Sequence, residues 1–451
     1  TRLKEVSGGF IESSVEEFAG SFSDAVSKEP ERMIKLVLSN DEEILDLYID
    51  SLFKGVAYSN ELDNVPVELF EKMIAKYPYD YVSLRANHIC SLIEKRNAKW
   101  SKNVLDILKD IAINHTNPEI GKPNITSNKD KEMRSFDMLR SNAINCVRGR
   151  AAQAIARLLQ DDGSLFEQFK ETIEKLVRDE NPAVRFSALY ALWPSYNIER
   201  GWAEIRILNL YEQDFRLAGF PYSKDMLFFL YPKYRENVLE IVGKCYNSED
   251  ERLIEMGAYC LAEMYILKNE FVDVINNLDA MSEIQAKAVF NMAIVYFKYD
   301  EFNKIAKNLI LRFKISSLDF KLPISRLFLD NLIDLKRDKE FLIKIMDYDL
   351  SSITVNAFVR YLEQESRSVI DYNDIITTMS YRLIENGGAE EGVWGIEDAI
   401  SKLVIGLYDE TANSSLPEMK DIANTCLDIW DLMFEKQIGS MRQLSKKLMD
   451  R

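Results

Sequence analysis

Two imidazoles, His88 and His115, are all that the 451-residue chain offers for histidine chemistry. A Ser-His-Asp triad needs a histidine held between nucleophile and carboxylate, and zinc hydrolases need paired histidines at helical spacing. Neither can be assembled here. His88 adjoins Ile89 and Cys90 in an apolar-periodic segment and reads as a core residue; His115 ends a helical pattern, where a cation suits the C-terminal dipole. The five cysteines (Cys90, Cys146, Cys245, Cys260 and Cys426) are odd in number, widely spaced and free of CxxC pairs, so they read as buried thiols in a reducing compartment. Carboxylates abound, yet Asp161-Asp162 stand before Gly163 at a helix boundary and Glu390-Glu391 in a Gly-rich turn, without the DDxxD spacing of metal-diphosphate sites. Phosphate loops of the GxGxxG and GxxxxGK[ST] types are absent. No catalytic residue, metal or cofactor is assigned, and the chain is expected not to be an enzyme.

The polar feature that stands out is a local reversal of charge. The chain carries a formal charge of −16, which argues against a surface built to bind nucleic acid throughout. From Lys122 to Arg157, however, eight basic residues face three acidic ones. Arg134, Arg140, Arg148, Arg150 and Arg157 are therefore the candidate partner-binding residues. Two readings stay open. The stretch is either a patch for an acidic partner, a nucleic acid or a nucleotide-bearing neighbouring domain, or part of the scaffold. In the second reading Arg148, equivalent to Arg185 one unit later, joins an Asp/Arg ladder between repeats, and Arg157 is a solvated helix residue. Trp193-Pro-Ser-Tyr196 and Phe215…Phe220-Pro-Tyr222 lie at the ends of units, where aromatics either fill the core or anchor an interface.

The elements that position these residues are helices. Only 17 glycines and 11 prolines are spread along the chain, too few turn formers for an all-β protein of this length. The clearest unit is Asp179-Glu-Asn-Pro-Ala-Val-Arg-Phe-Ser-Ala-Leu-Tyr-Ala-Leu192. Its proline falls in a first turn, where no N–H is needed. Val184, Ala188, Ala191 and Leu192 then form one apolar stripe. The preceding stretch 165–177 is a second amphipathic helix, and helix, turn, Asp-x-x-Pro-x-Val-Arg, helix resembles a HEAT repeat. Val147-Arg148 lies 37 residues upstream of Val184-Arg185, Ile254…Ala258 lies 70 downstream, and Ile284…Ala288 follows after another 30. Such spacing suits stacked helical repeats. The expected fold is all-α, a HEAT-like α-solenoid of antiparallel helix pairs in a right-handed superhelical array. The expected divisions are N-terminal helical repeats at 1–115, a long polar, basic-edged loop at 116–140, core repeats at 141–300, degenerate repeats at 301–385 and a C-terminal helical cap at 386–451.

A family resemblance completes the reading. Asn142-Ala-Ile-Asn-Cys-Val-Arg-Gly-Arg-Ala-Ala-Gln-Ala-Ile155 follows a long loop opened by His115-x-Asn-Pro118, and the Asp-x-x-Pro-x-Val-Arg helix comes next. The chain closes on Cys426-Leu-Asp-Ile-Trp-Asp-Leu-Met433…Leu444…Arg451. This order resembles the C-terminal helical sensor region of large bacterial STAND-type ATPases, including those of antiphage defence. The resemblance implies a sensor that binds a protein ligand, viral or other, on the concave face of the solenoid, and relays this to an adjacent ATPase module. No Walker segment is present, so ATPase activity is not carried over. The start at Thr1-Arg2 fits a fragment of a longer polypeptide. Two rivals are a nucleic-acid-binding HEAT-like array using 122–157 and a HEAT-fold base-excision enzyme; the overall acidity counts against both. No run of 18 apolar residues occurs, so no membrane contact is expected, and the expected location is the cytoplasm.

Overall fold

The computed structural model describes residues 14–81, 85–118, 135–313, 321–348, 352–364, 367–386, 395–436 and 438. All of its regular structure there is helical, and the chain divides into two compact units, Thr1–Leu253 and Ile254–Arg451. In the first unit the helices run α1 (Val15–Lys28), α2 (Pro30–Leu38), α3 (Asp46–Ala57), α4 (Val67–Lys76), α5 (Arg85–Lys95), α6 (Lys102–Asn114), α7 (Phe136–Asn145), α8 (Val147–Asp161), α9 (Phe166–Val177), α10 (Pro182–Ile198), α11 (Arg200–Gln213), α12 (Ser223–Leu230) and α13 (Arg235–Tyr246). Their packing is that of a stacked array. Helices α1, α3, α5, α8 and α10 each pack on the next to make one layer; α2 on α4, α6 on α9 and α11 on α13 make the other. Contact mainly between successive helices is the mark of a solenoid, although the Phe136 N–H at the start of α7 also reaches Asp250 at 2.8 Å.

The second unit repeats the plan. After α14 (Glu251–Lys268) and α15 (Val272–Asn276) come α16 (Glu283–Tyr296), α17 (Asp300–Arg312), α18 (Lys321–Leu329), α19 (Leu335–Tyr348), α20 (Ser352–Gln364), α21 (Asn373–Glu385), α22 (Ile396–Thr411) and α23 (Pro417–Glu435). Here α16, α18, α20 and α22 pack in succession, while α19, α21 and α23 form the opposite layer.

Local chemistry explains why the elements start and stop where they do. Pro182 opens α10, and the Asn181 side chain accepts from the Ala183 N–H at 2.9 Å, supplying one of the bonds a helix start lacks. The stripe of Val184, Ala188, Ala191 and Leu192 is fully buried against α8. Helices α8 and α10 approach closely because Gly149 has no side chain: a Cβ there would lie 2.7 Å from both Cys146 Sγ and Ser187 Oγ. Gly55 does the same between α3 and α1, where a Cβ would meet Val26 Cβ at 2.6 Å.

Charge pairs tie consecutive repeats together, and their partners lie about one repeat apart in sequence. Arg85 binds Asp50 at 2.7 Å and Asp46 at 2.6 Å; Arg148 binds Asp179 at 2.9 Å; Arg206 binds Glu174 at 2.8 Å; Lys307 binds Asp338 at 2.7 Å. Asp338 is wholly buried. Burial works against its charge, but hydrogen bonds from Arg337 and Lys307 hold the carboxyl below the usual range. Removing one partner of such a pair costs far more than the pair contributes, because the other charge stays buried.

Candidate interaction surface

The four described arginines among the five singled out from the sequence do not form one patch. Arg134, with Lys122, Lys129 and Lys131, lies outside the described residues. Arg148 is turned inward, its side chain 10% exposed, where it pairs with Asp179 and donates to the Pro118 carbonyl at 3.0 Å. Burial, opposed by the Asn181 N–H and by Arg148 and Arg185, leaves the Asp179 carboxyl above its usual range. Arg185 departs from the ladder expected of it. It turns back to the carbonyls of Asp179 and Glu180 at 2.7 and 3.0 Å. Arg157 pairs along its own helix with Asp161 at 3.2 Å. Arg150 reaches back to Glu94 of α5 at 3.1 Å and to Gln153. Arg140, on α7, is exposed and has no ion-pair partner among the described residues.

Arg140 and Arg150 do converge on one neighbour, Tyr190 of α10. Burial pushes the Tyr190 hydroxyl above its ordinary range, with Arg140 and Arg150 acting the other way and Tyr222 and Glu94 adding to the rise. Tyr190 leads into the most distinctive surface of the first unit. Trp193 stacks on Tyr222 at 5.1 Å with their planes only 9° apart, and on Phe229 at 6.2 Å and 16°. Phe229 stacks on Tyr196 at 5.3 Å and 20°, and the Arg200 guanidinium closes the stack 5.1 Å above Tyr196. Rings from α10 and α12 therefore alternate in a parallel ladder, with Tyr222 43% and Phe229 44% exposed. Parallel rings at such separations are offset, a favourable geometry that leaves their edges open.

The ladder follows from spacing within each helix. Trp193 and Tyr196 are three residues apart, on one face of α10; Tyr222 caps the start of α12, and Phe229 lies seven residues on, within that helix. Sequence reasoning marked Trp193, Tyr196 and Tyr222 as unit-end aromatics and missed Phe229, Tyr190 and Arg200. The seven-residue interval from Tyr222 to Phe229 was the available signal. Glu204 sits beside the ladder's end, 4% exposed; burial raises its carboxyl, yet hydrogen bonds from Arg200 and Lys233 hold it low.

The remaining candidate groups are structural. His88 is buried edge-on to Tyr58, and burial with Lys54 and Lys95 nearby pushes its imidazole down to about 4. His115 stands at the C-cap of α6, where the helical pattern placed it; it is buried, and its Nδ1 accepts the Asn117 N–H at 3.1 Å. All five cysteines are buried thiols, with burial pushing Cys146 and Cys426 up to about 11. A cleft of about 730 Å³ is lined by Lys99, Lys102, Lys109, Asp161 and Asp162 among others, so its charges oppose one another. Among the described residues no cluster of three or more His, Cys, Asp or Glu side chains could hold a metal ion, and no helix is long and apolar enough to cross a membrane. Comparison with family models, curated proteins and solved structures finds no match for the chain.

Proposed function

We propose that this chain is a non-catalytic helical-repeat domain that holds a protein ligand, as the sensor part of a larger STAND-type ATPase in bacterial antiviral defence, acting in the cytoplasm. The observation that carries the binding reading is the parallel Tyr222–Trp193–Phe229–Tyr196 ladder, whose Tyr222 and Phe229 rings stay exposed at the surface. Aromatic side chains held rigidly at a surface are the residues that dominate protein interfaces, since they contribute large contact area at little entropic cost. The stacked helices support the same reading, because a solenoid offers an extended surface and stabilises it mainly by neighbour contacts. The sensor and ATPase assignments rest on the resemblance of 142–155, 179–185 and 426–451 to the STAND helical region.

The nucleic-acid alternative has weaker support. Of the described arginines in the basic stretch, only Arg140 is exposed with no ion pair among the described residues, and salt-dependent binding needs several free cations. The test is affinity capture from virus-infected and uninfected cells with the wild-type chain and a Trp193→Ala/Phe229→Ala variant that stays fully folded at the capture temperature. Retention of a protein from infected cells by the wild type alone supports the proposal. Equal capture by both chains, or by neither, overturns it.

A further inference from the structure

Successive repeats of the first unit differ in how charge crosses between them. From α9 to the start of α11 it crosses by direct contact, Arg206 to Glu174 at 2.8 Å and Lys170 to Glu199 at 2.7 Å. One repeat earlier, α6 packs on both α8 and α9 yet leaves the cleft of about 730 Å³. That volume is within the roughly 300–1,000 Å³ of small-molecule sites. One wall is the turn into α6 and the start of that helix, with Lys99, Lys102 and Lys109; the other is the end of α8 and the turn into α9, with Asp161 and Asp162. Trp100, Leu105, Leu158 and Leu165 supply apolar lining.

Among the described residues no ion pair spans this cleft. Lys109 turns to Asp106 of its own helix at 2.8 Å, and Asp161 to Arg157 of its own at 3.2 Å. Asp162 accepts the Ser164 hydroxyl at 2.6 Å and N–H at 3.0 Å, which hold its carboxyl below the usual range, with Lys99 adding to the effect without contact. Lys99 and Lys102 are exposed and form no ion pair or hydrogen bond with another described residue. The charges on both walls are therefore open to a ligand: a serine does not neutralise Asp162, and an exposed i,i+4 pair holds Asp161 only weakly.

Unlike charges held apart by a cavity select an occupant by sign. An anion alone would face two carboxylates, and a cation alone three ammonium groups. A ligand of both signs meets an opposite charge on each wall, and an apolar body between its charged groups can lie on the leucines and the indole.

We propose that this cleft binds a small zwitterion whose carboxylate and ammonium groups are separated by an apolar body. The carboxylate meets Lys99 and Lys102, the ammonium meets Asp161 and Asp162, and the hydrocarbon covers Leu105, Leu158 and Trp100. Such a ligand is a free amino acid with a distal ammonium group or a short apolar peptide with free termini. The site is separate from the aromatic ladder and does not depend on the protein-binding reading.

Ligand-observed NMR titration of the full chain tests this with 6-aminohexanoate as the probe. It is expected to bind at least about tenfold more tightly than hexanoate or hexylamine, the fold-change that one close charge pair confers. Lys99→Ala/Lys102→Ala is expected to abolish its advantage over hexylamine, and Asp161→Asn/Asp162→Asn its advantage over hexanoate. These side chains are exposed, and asparagine keeps the oxygen that caps Ser164, so both variants should retain the wild-type denaturation midpoint. L-lysine and the tripeptide Leu-Ala-Leu separate the two sources: the tighter binder of the pair names the natural ligand class. No binding of 6-aminohexanoate, binding no tighter than that of hexanoate or hexylamine, or an advantage that survives in both double variants overturns the proposal.

Discussion

Phe186 and Trp193 sit two turns apart on α10 and pack in opposite ways. Phe186 is fully buried and meets its neighbours at steep angles: 60° to Phe136, 74° to Tyr190 and 75° to Phe220. Edge-to-face packing lets each ring present its positive edge to a negative face and fills space in three dimensions, which is what a core needs. Trp193 lies nearly flat between Tyr222 and Phe229. A flat stack fills space along one axis only and leaves ring edges to solvent. The same helix thus holds the array together at one turn and presents a surface at another. Ring angle and exposure separate the two roles where hydrophobicity does not.

The comparison is broken most severely by emptying the buried side. Phe186→Ala is expected to lower stability by about 3–5 kcal/mol, the cost of deleting a buried phenylalanine and leaving a cavity, as read by chemical denaturation; a loss below about 1 kcal/mol would show that these rings do not hold the repeats. Next comes Arg148→Ala. Asp179 would stay buried without its guanidinium, a loss of about 3 kcal/mol, and adding Asp179→Asn should recover much of it. No recovery in the double variant would mean that the pair is not the seam between α8 and the α10 start.

A titration probes a second core-type contact. His88 titrates near 6.5 when unfolded and at about 4 in the buried site beside Tyr58. Between those values the unfolded chain takes up a proton that the folded chain refuses. The contribution of this site is therefore full above pH 6.5 and is lost as pH falls towards 4, by at most about 3 kcal/mol. Denaturation at a series of pH values should show this decline in the wild type and a shallower one in His88→Gln; parallel curves would contradict it. The surface side should respond differently again. Trp193→Ala is expected to cost only about 1 kcal/mol of stability, the scale of the lost stacking, while ligand capture disappears. Smallest of all, Arg157→Ala should change stability by no more than about 0.5 kcal/mol, since an exposed i,i+4 pair contributes little.

Much of the scaffold was legible in the sequence because periodicity is local. The stripe of Val184, Ala188, Ala191 and Leu192 marks α10, and Pro182 with Asn181 marks its start. The equivalence of Val147-Arg148 to Val184-Arg185 placed two successive repeats and raised the structural role that Arg148 plays. The basic stretch could not be resolved from sequence for a geometric reason. Charges adjacent in sequence are rotated by 100° per residue on a helix, so Arg148 points into the seam while Arg150, two residues on, points to Glu94. The start of α3 at Asp46, later than the apolar pattern from Glu43 implies, is a boundary shift of the usual size. The ladder was half visible. Trp193 and Tyr196 share a face by spacing alone, but their alternation with Tyr222 and Phe229 depends on how two helices cross, which no local pattern records.

Site-directed photo-crosslinking tests the central claim, that the ladder is the face that meets the ligand. A photoreactive phenylalanine analogue is placed at Phe229, which is exposed within the stack, and separately at Lys175, which is exposed on α9. Both proteins are then irradiated in lysate from virus-infected cells, and the adducts are identified by mass. The account predicts one dominant adduct from Phe229, lost when Trp193→Ala is introduced, and none of that species from Lys175. The same adduct from both positions, or from Lys175 alone, would contradict it.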